Sequence, residues 1–300
     1  MPPTRGSSFQ VASGVGAVVN WPTDPEVSPM RRSLSLLALL ALAGCETVEM
    51  LQNDKVLAGV LLATPDATVG TTDVPGTVTA QVFFGQISGA MSGSADVDPI
   101  AGATVQVSWT GGGTATLTPG AAGYYEATGG ALVYVEGAQY TFHVSHGGET
   151  YTGTVTAPPS VEMRDAGGAL LDDVVPVTAA GLADPYPVCR TGNQVAFVTV
   201  QEFTDAGASG APCFVPPAPT DAGGIIGLLF DDGEYRAACF SLPPATCFPN
   251  RSDPGTVGYL VGLTALNKAT GTQMSSNLFL GSGVFVGTMD ASALVLSPPP

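Results

Sequence analysis

Ala103-Thr104-Val105-Gln106-Val107-Ser108-Trp109-Thr110 reads as a single β-strand. Ala103, Val105, Val107 and Trp109 share one side and Thr104, Gln106, Ser108 and Thr110 the other. A period of two is what an extended chain with one buried face requires, and it places Trp109 in a core. Tyr140, Phe142 and Val144 repeat the pattern against Gln139, Thr141, His143 and Ser145. Gly147-Gly148 then supplies the positive φ angles of a tight hairpin turn. Tyr151, Gly153, Val155 and Ala157 return on the partner strand, and Pro158-Pro159 ends the unit because neither can donate to a ladder. Short antiparallel strands at close spacing predict an all-β chain of β-sandwich type.

The rest of the 300 residues agree with that class. The chain holds 39 Gly and 25 Pro, with 45% hydrophobic and only 11% charged residues. Few charges and ample apolar content argue against disorder, and dense Gly and Pro punctuation excludes a helical bundle or coiled coil. The length suits two modest domains. Val56 to Ala63 reads as a first strand, and Val195 to Val200 and Ile225 to Phe230 as buried ones. Tyr259, Val261, Leu263 and Ala265 alternate before a turn at Asn267 to Gly271, and Leu278 to Val286 returns, so 257–287 reads as a long hairpin. Ala293 to Leu296 reads as one more short strand. Proline clusters at 216–219 and 243–244 mark irregular loops.

Three stretches carry a family resemblance: Asp98-Pro99-Ile100-Ala101-Gly102-Ala103-Thr104-Val105, Gly123-Tyr124-Tyr125, and Gly137-Ala138-Gln139-Tyr140-Thr141-Phe142. Together they resemble the prealbumin-like module, which includes carboxypeptidase-regulatory-like and other bacterial surface domains. That resemblance implies an accessory sandwich without catalytic residues of its own, and no particular ligand. The second half resembles a fibronectin-type-III or immunoglobulin-like sandwich of a surface lipoprotein. The expected order is therefore two β-sandwich domains in tandem, prealbumin-like over 56–159 and Ig/fibronectin-III-like over 160–297, before a Pro tail at 298–300.

Met30 to Cys45 reads MRRSLSLLALLALAGC. Arg31 and Arg32 precede an uncharged apolar run, Leu34 to Ala43, which is short of the roughly 20 residues that span a bilayer as a helix. The layout is that of an export signal. Leu42-Ala43-Gly44-Cys45 resembles the lipobox of bacterial lipoproteins. This implies diacylglycerol on the Cys45 thiol, cleavage before Cys45 and acylation of the new amino group, and acyl chains in that number anchor stably where one does not. Residues 30–44 are thus the expected lipoprotein signal peptide and 45–55 a polar, lipid-anchored tether. Residues 1–29 carry Pro2, Pro3, Pro22, Pro25 and Pro29 without periodicity and read as a disordered extension left by a misplaced gene start. Glu46 follows the cysteine where some bacteria use Asp for inner-membrane retention, which favours the outer membrane of the cell envelope.

Nine basic against 25 acidic residues exclude a nucleic-acid binder, which needs clustered Lys and Arg. Beyond the signal the acidic excess also repels anionic headgroups, so the membrane is reached through lipid and not through charge. Cys189, Cys213, Cys239 and Cys247 are an even set in an exported chain and suggest two disulfides. Sequential pairing, Cys189–Cys213 and Cys239–Cys247, is the expectation; the first closes a loop of about 25 residues worth roughly 3–4 kcal/mol. No C-x-x-C spacing supports zinc.

Catalytic chemistry has little to stand on. His143 and His146 are the only histidines, and an offset of three points them to opposite faces of a strand. No G-x-S-x-G elbow, H-E-x-x-H helix, P-loop or G-x-G-x-x-G follows any strand. Asp231-Asp232-Gly233-Glu234 reads as turn chemistry, with a calcium site at Asp231, Asp232 and Glu234 as its second use. Tyr124, Tyr125 and outward Phe83 read as core or edge cover, with an aromatic platform as the alternative. The expected function is a non-catalytic envelope lipoprotein without a cofactor beyond its lipid. Its alternatives are a binding module for carbohydrate, peptide or an envelope protein, and a hydrolase, which would need a concave site with converging polar groups.

Overall fold

Strict alternation forms strands where it was expected. The computed structural model describes residues 55–88, 96–120, 124–216, 233–279 and 281–297. These are 59% strand and 5% helix, an all-β chain of β-sandwich type. The first ten strands are β1 (Lys55–Thr64), β2 (Ala67–Val69), β3 (Thr72–Val74), β4 (Thr77–Ser88), β5 (Asp96–Pro99), β6 (Thr104–Trp109), β7 (Gly113–Pro119), β8 (Tyr124–Thr128), β9 (Gln139–His146) and β10 (Glu149–Thr156). The remaining seven are β11 (Val174–Val177), β12 (Tyr186–Cys189), β13 (Val195–Thr204), β14 (Gly207–Val215), β15 (Cys239–Leu242), β16 (Thr256–Ala269) and β17 (Gly283–Leu296).

One hydrogen-bonded sheet runs through both halves in the order β10-β9-β6-β7-β8-β4-β1-β17-β16-β13-β14, with β5 beside β4 and β11 beside β17. Its centre joins the two ends of the described chain. β1 lies antiparallel to β4 along its whole length and parallel to β17, Ala58 opposite Gly283 through Ala63 opposite Thr288. The far half of β17 takes β11 as its parallel neighbour instead, Val174 opposite Ala293. The hairpin read as 257–287 is longer and turns later. β16 and β17 pair from Gly258–Val295 to Ala269–Val284, the connection runs over 270–282, and the separate strand expected at Ala293 to Leu296 is the end of β17. The run Ile225 to Phe230 lies outside the described residues.

The front face of this hairpin underlies both large cores. At one end Ala269, Val284 and Val286 join Phe84, Tyr125, Tyr140, Phe142, Val144 and Tyr151. At the other, Tyr259, Val261, Leu263 and Leu294 meet Val188, Phe240, Leu242 and Phe248 from the covering layer. The units expected over 56–159 and 160–297 thus share one sheet and one hairpin. Between them the hairpin carries polar side chains. Asn267 donates to the Thr156 carbonyl, the Asp290 carboxylate accepts the Met163 N–H at 2.6 Å, and the Ser292 hydroxyl donates to the Asp172 carbonyl.

The layers of the first core approach closely because glycine occupies the crossing. A Cβ on Gly59 would stand 2.9 Å from the Phe142 ring and 3.2 Å from Val284. Trp109, expected in the core, is half-buried at its rim; it stacks on Tyr140 with centroids 5.9 Å apart and lies across Gly113. The Gly147-Gly148 turn has φ of 61° and 85°, as the hairpin reading requires. The back face of the central sheet is buried too: Leu62, Val195, Leu266 and Phe285 form one cluster, and the β2–β3 hairpin covers Leu260 and Phe203 through Val69 and Val74.

Candidate functional site

Residues 1–54, and with them the lipobox and Cys45, lie outside the described residues, as do Asp231 and Asp232 of the calcium candidate. Glu234 begins a 3-10 turn, Glu234–Arg236. Among the described residues no three His, Cys, Asp or Glu side chains gather as a metal site.

The cysteines form two disulfides, and the expected pairing is corrected. Cys189 bonds Cys239 and Cys213 bonds Cys247, so the loops interleave. Strand neighbours, not chain neighbours, decide this. Cys189 and Cys239 face each other across the antiparallel β12–β15 pair, with Cα atoms 3.9 Å apart. Cys213 on β14 sits beside the short helix Pro244–Cys247, with Cα atoms 5.1 Å apart.

Arg190, next to Cys189, was not singled out in the sequence. It is 4% exposed. Its Nε donates to the Ala237 carbonyl at 3.2 Å, Nη1 to Gln194 Oε1 at 3.2 Å and Nη2 to the Gln194 carbonyl at 2.6 Å. Burial, with Arg236 nearby, lowers its pKa. The guanidinium fork, rigid and rich in donors, clasps the β12–β13 turn to the chain entering β15. The only available signal was rarity, since the whole chain holds nine basic residues.

His143 points outward from β9 and His146 inward, as their spacing predicts. His143 Nε2 lies 3.2 Å from the Ser108 hydroxyl, and the donor follows from the ring tautomer. No carboxylate among the described residues is hydrogen-bonded to His143, so this pair lacks the third group that orients a general base. His146 meets the Phe84 ring edge-on at 6.1 Å. Tyr125 is a core residue: its hydroxyl accepts the Ala103 N–H at 3.0 Å and donates to the Ile100 carbonyl at 3.1 Å. Tyr124 and Phe83 do stand together on the other face, half-buried, with ring centroids 5.2 Å apart.

Shifted acidities accompany structural bonds. Burial and the bond to Glu149 push the Tyr151 hydroxyl up to about 12. Burial raises Tyr140, whose hydroxyl accepts the Val135 N–H and donates to the Val133 carbonyl. Burial also raises Asp290, against the two backbone N–H groups of Met163 and Ala291 that its carboxylate accepts. An open notch is lined by Thr64, Asp66, Thr77 and Gly129. It holds one carboxylate and brings no nucleophile to a base.

No family model matches the chain, and no curated protein matches it. Among solved structures it is similar to the Yersinia pseudotuberculosis adhesin InvE at 13% identity and TM-score 0.20, over 81% of this chain and 59% of that one. It is similar to InvD of the same organism at 15% identity and TM-score 0.20, over 80% and 58%. Titin domains Z1Z2 in complex with telethonin match at 10% identity and TM-score 0.19, over 83% and 99%. The chain spans 59% of the length of the InvE chain. At that degree of likeness the fold rests on the strands and registers themselves.

Proposed function

We propose that the chain is a non-catalytic lipoprotein of a bacterial cell envelope, held in the outer membrane by acyl groups on Cys45, whose body displays two sandwich cores. The observation that carries this reading is the run Met30 to Cys45, in which a basic start, an apolar stretch and Leu42-Ala43-Gly44-Cys45 follow in order. Two disulfides support it, because such bonds persist outside the reducing cytoplasm. Among the described residues no helix is long and apolar enough to cross a membrane, and the anchor in this reading is lipid. The display role is supported by what the polar groups do. Arg190, Tyr125, Tyr140 and Asp290 all hold backbone in place, and Ser108 with His143 lies on an open sheet face.

The test is metabolic labelling with a fatty acid in a bacterial host. Wild-type chain takes up label and is cleaved before Cys45, whereas Cys45→Ser stays unlabelled and uncleaved. Equal labelling of the two overturns the lipid anchor. Recovery of the labelled chain with inner-membrane fractions overturns the outer-membrane assignment alone.

A further inference from the structure

Among the described residues, the outward face of β7-β6-β9-β10 is set apart by its chemistry. Every outward position on these four strands is Thr, Ser, Gln or His, and none is Asp, Glu, Lys, Arg, Phe, Tyr, Trp or an aliphatic residue. The chain around it carries a formal charge of −16. The registers align these side chains in rows, as in Thr116, Gln106, His143 and Thr152, each directly opposite the next. Strands about 4.8 Å apart, with outward residues repeating every ~6.8 Å, make this a grid. Its groups are already tied to one another. Gln106 Nε2 donates to Thr116 Oγ1 at 3.2 Å, Ser108 meets His143 at 3.2 Å, and the Thr141 and Thr154 hydroxyls are 3.3 Å apart.

We propose that this face binds a neutral, polyhydroxylated polymer, a glycan without charged groups. A hydroxyl both donates and accepts, so a Thr and Ser grid can pair with sugar hydroxyls in either sense. Cations, phosphates and basic peptides find no counter-charge here, and the acidic remainder of the surface repels anions. A protein partner would look for a buried aromatic or Arg anchor, which the face does not offer. Bonds within the grid hold the side chains in place beforehand, which lowers the entropy lost on binding. Contact is by the face and not by strand addition, because the β10 edge is closed: the Thr152 N–H donates to the Ser275 hydroxyl, and Ser275 N–H to the Thr152 carbonyl. This reading rests on the display role only in that the face must reach an envelope or foreign glycan.

The test is sedimentation of the full chain, in detergent, with suspended microcrystalline cellulose, chitin and β-1,3-glucan. Pelleting is expected with at least one of the three, at a fraction unchanged between about 0.05 and 0.5 M salt, since no charge pairs are there to be screened. Thr116→Glu with Thr152→Glu lowers the bound fraction at least about tenfold, because each longer side chain stands between the flat grid and the polymer and its carboxylate accepts but cannot donate. Thr116→Val with Thr152→Val lowers it less, and Thr128→Glu, at the exposed end of β8 and outside the grid, leaves it unchanged. Melting temperatures matched to wild type show that the variants are folded. No pelleting with any of the three polymers overturns the proposal. So does pelleting that falls with salt, or pelleting that survives in the double Glu variant. The Cys45→Ser chain pellets like wild type, so failure of the lipid anchor and failure of the glycan face are read separately.

Discussion

The two ends of the β16–β17 hairpin are covered in different ways. Over Ala269 and Val284 lies a layer of four strands, β7, β6, β9 and β10, rich in aromatic side chains and crossing at Gly59 without any covalent link. Over Tyr259 and Leu294 the cover is thin: β12 and β15 have four residues each, flanked by coil and one short helix. That is where both disulfides and the Arg190 clasp are found. A layer of long strands closes a core by ladder and packing alone. A layer of fragments buries less per ordered residue, and crosslinks offset the difference by restricting the unfolded chain.

Reduction should break that contrast most. Sequence separations of 50 and 34 make each disulfide worth about 4 kcal/mol in the chain-entropy estimate. Reductant is expected to strip amide protection from Phe240 and Leu242 while Phe142 and Val144 keep theirs, as read by hydrogen exchange. Simultaneous loss at both ends would show that the shared hairpin couples the cores into one cooperative unit. Phe142→Ala attacks the other end: it should cost about 3–5 kcal/mol in a denaturant titration, with reversed protection at the same four amides.

Asp290 tests the polar seam between the ends. Burial, opposed by the bonds from Met163 and Ala291, leaves its folded pKa above the ordinary 3.8. A raised carboxyl pKa means that the folded state holds the proton more tightly. Its contribution to stability is therefore full below the unfolded value and is lost as pH rises through the folded one. Asp290→Asn should lose stability at every pH through its weakened bond to Met163, yet lose less at pH 7 than at pH 3. A mutant difference that does not change with pH would remove the carboxyl from this role. The smallest effect concerns Asp231, Asp232 and Glu234: if the turn reading of their sequence holds, millimolar calcium leaves the melting temperature unchanged, and a rise would assign them to the cation.

Much of this was legible where one face meets water. The parity of β6, β9 and β10 was open to reading because their outward residues are polar and their inward ones apolar, and the same parity placed His143 outside. β17 was read as two pieces because Gly287, Thr288, Asp290 and Ser292 interrupt its apolar run. It is covered on both faces and crosses the polar seam, so simple alternation does not apply to it. The parallel pairing of β1 with β17 joins residues more than two hundred positions apart, and no local pattern records it. Disulfide partners were misassigned for the same reason, since spacing along the chain does not report which strands lie side by side.

The placement of β1 has a mechanical consequence. It is gripped on both flanks, by β4 over ten paired positions and by β17 over six, and it points the same way as the strand that ends the described chain. Tension applied between Lys55 and Leu296 would draw β1 and β17 in opposite directions along their length. Their shared rungs would have to fail together and not one after another. In the proposed anchored state, a pull between the two ends of the body would thereby load these rungs in shear.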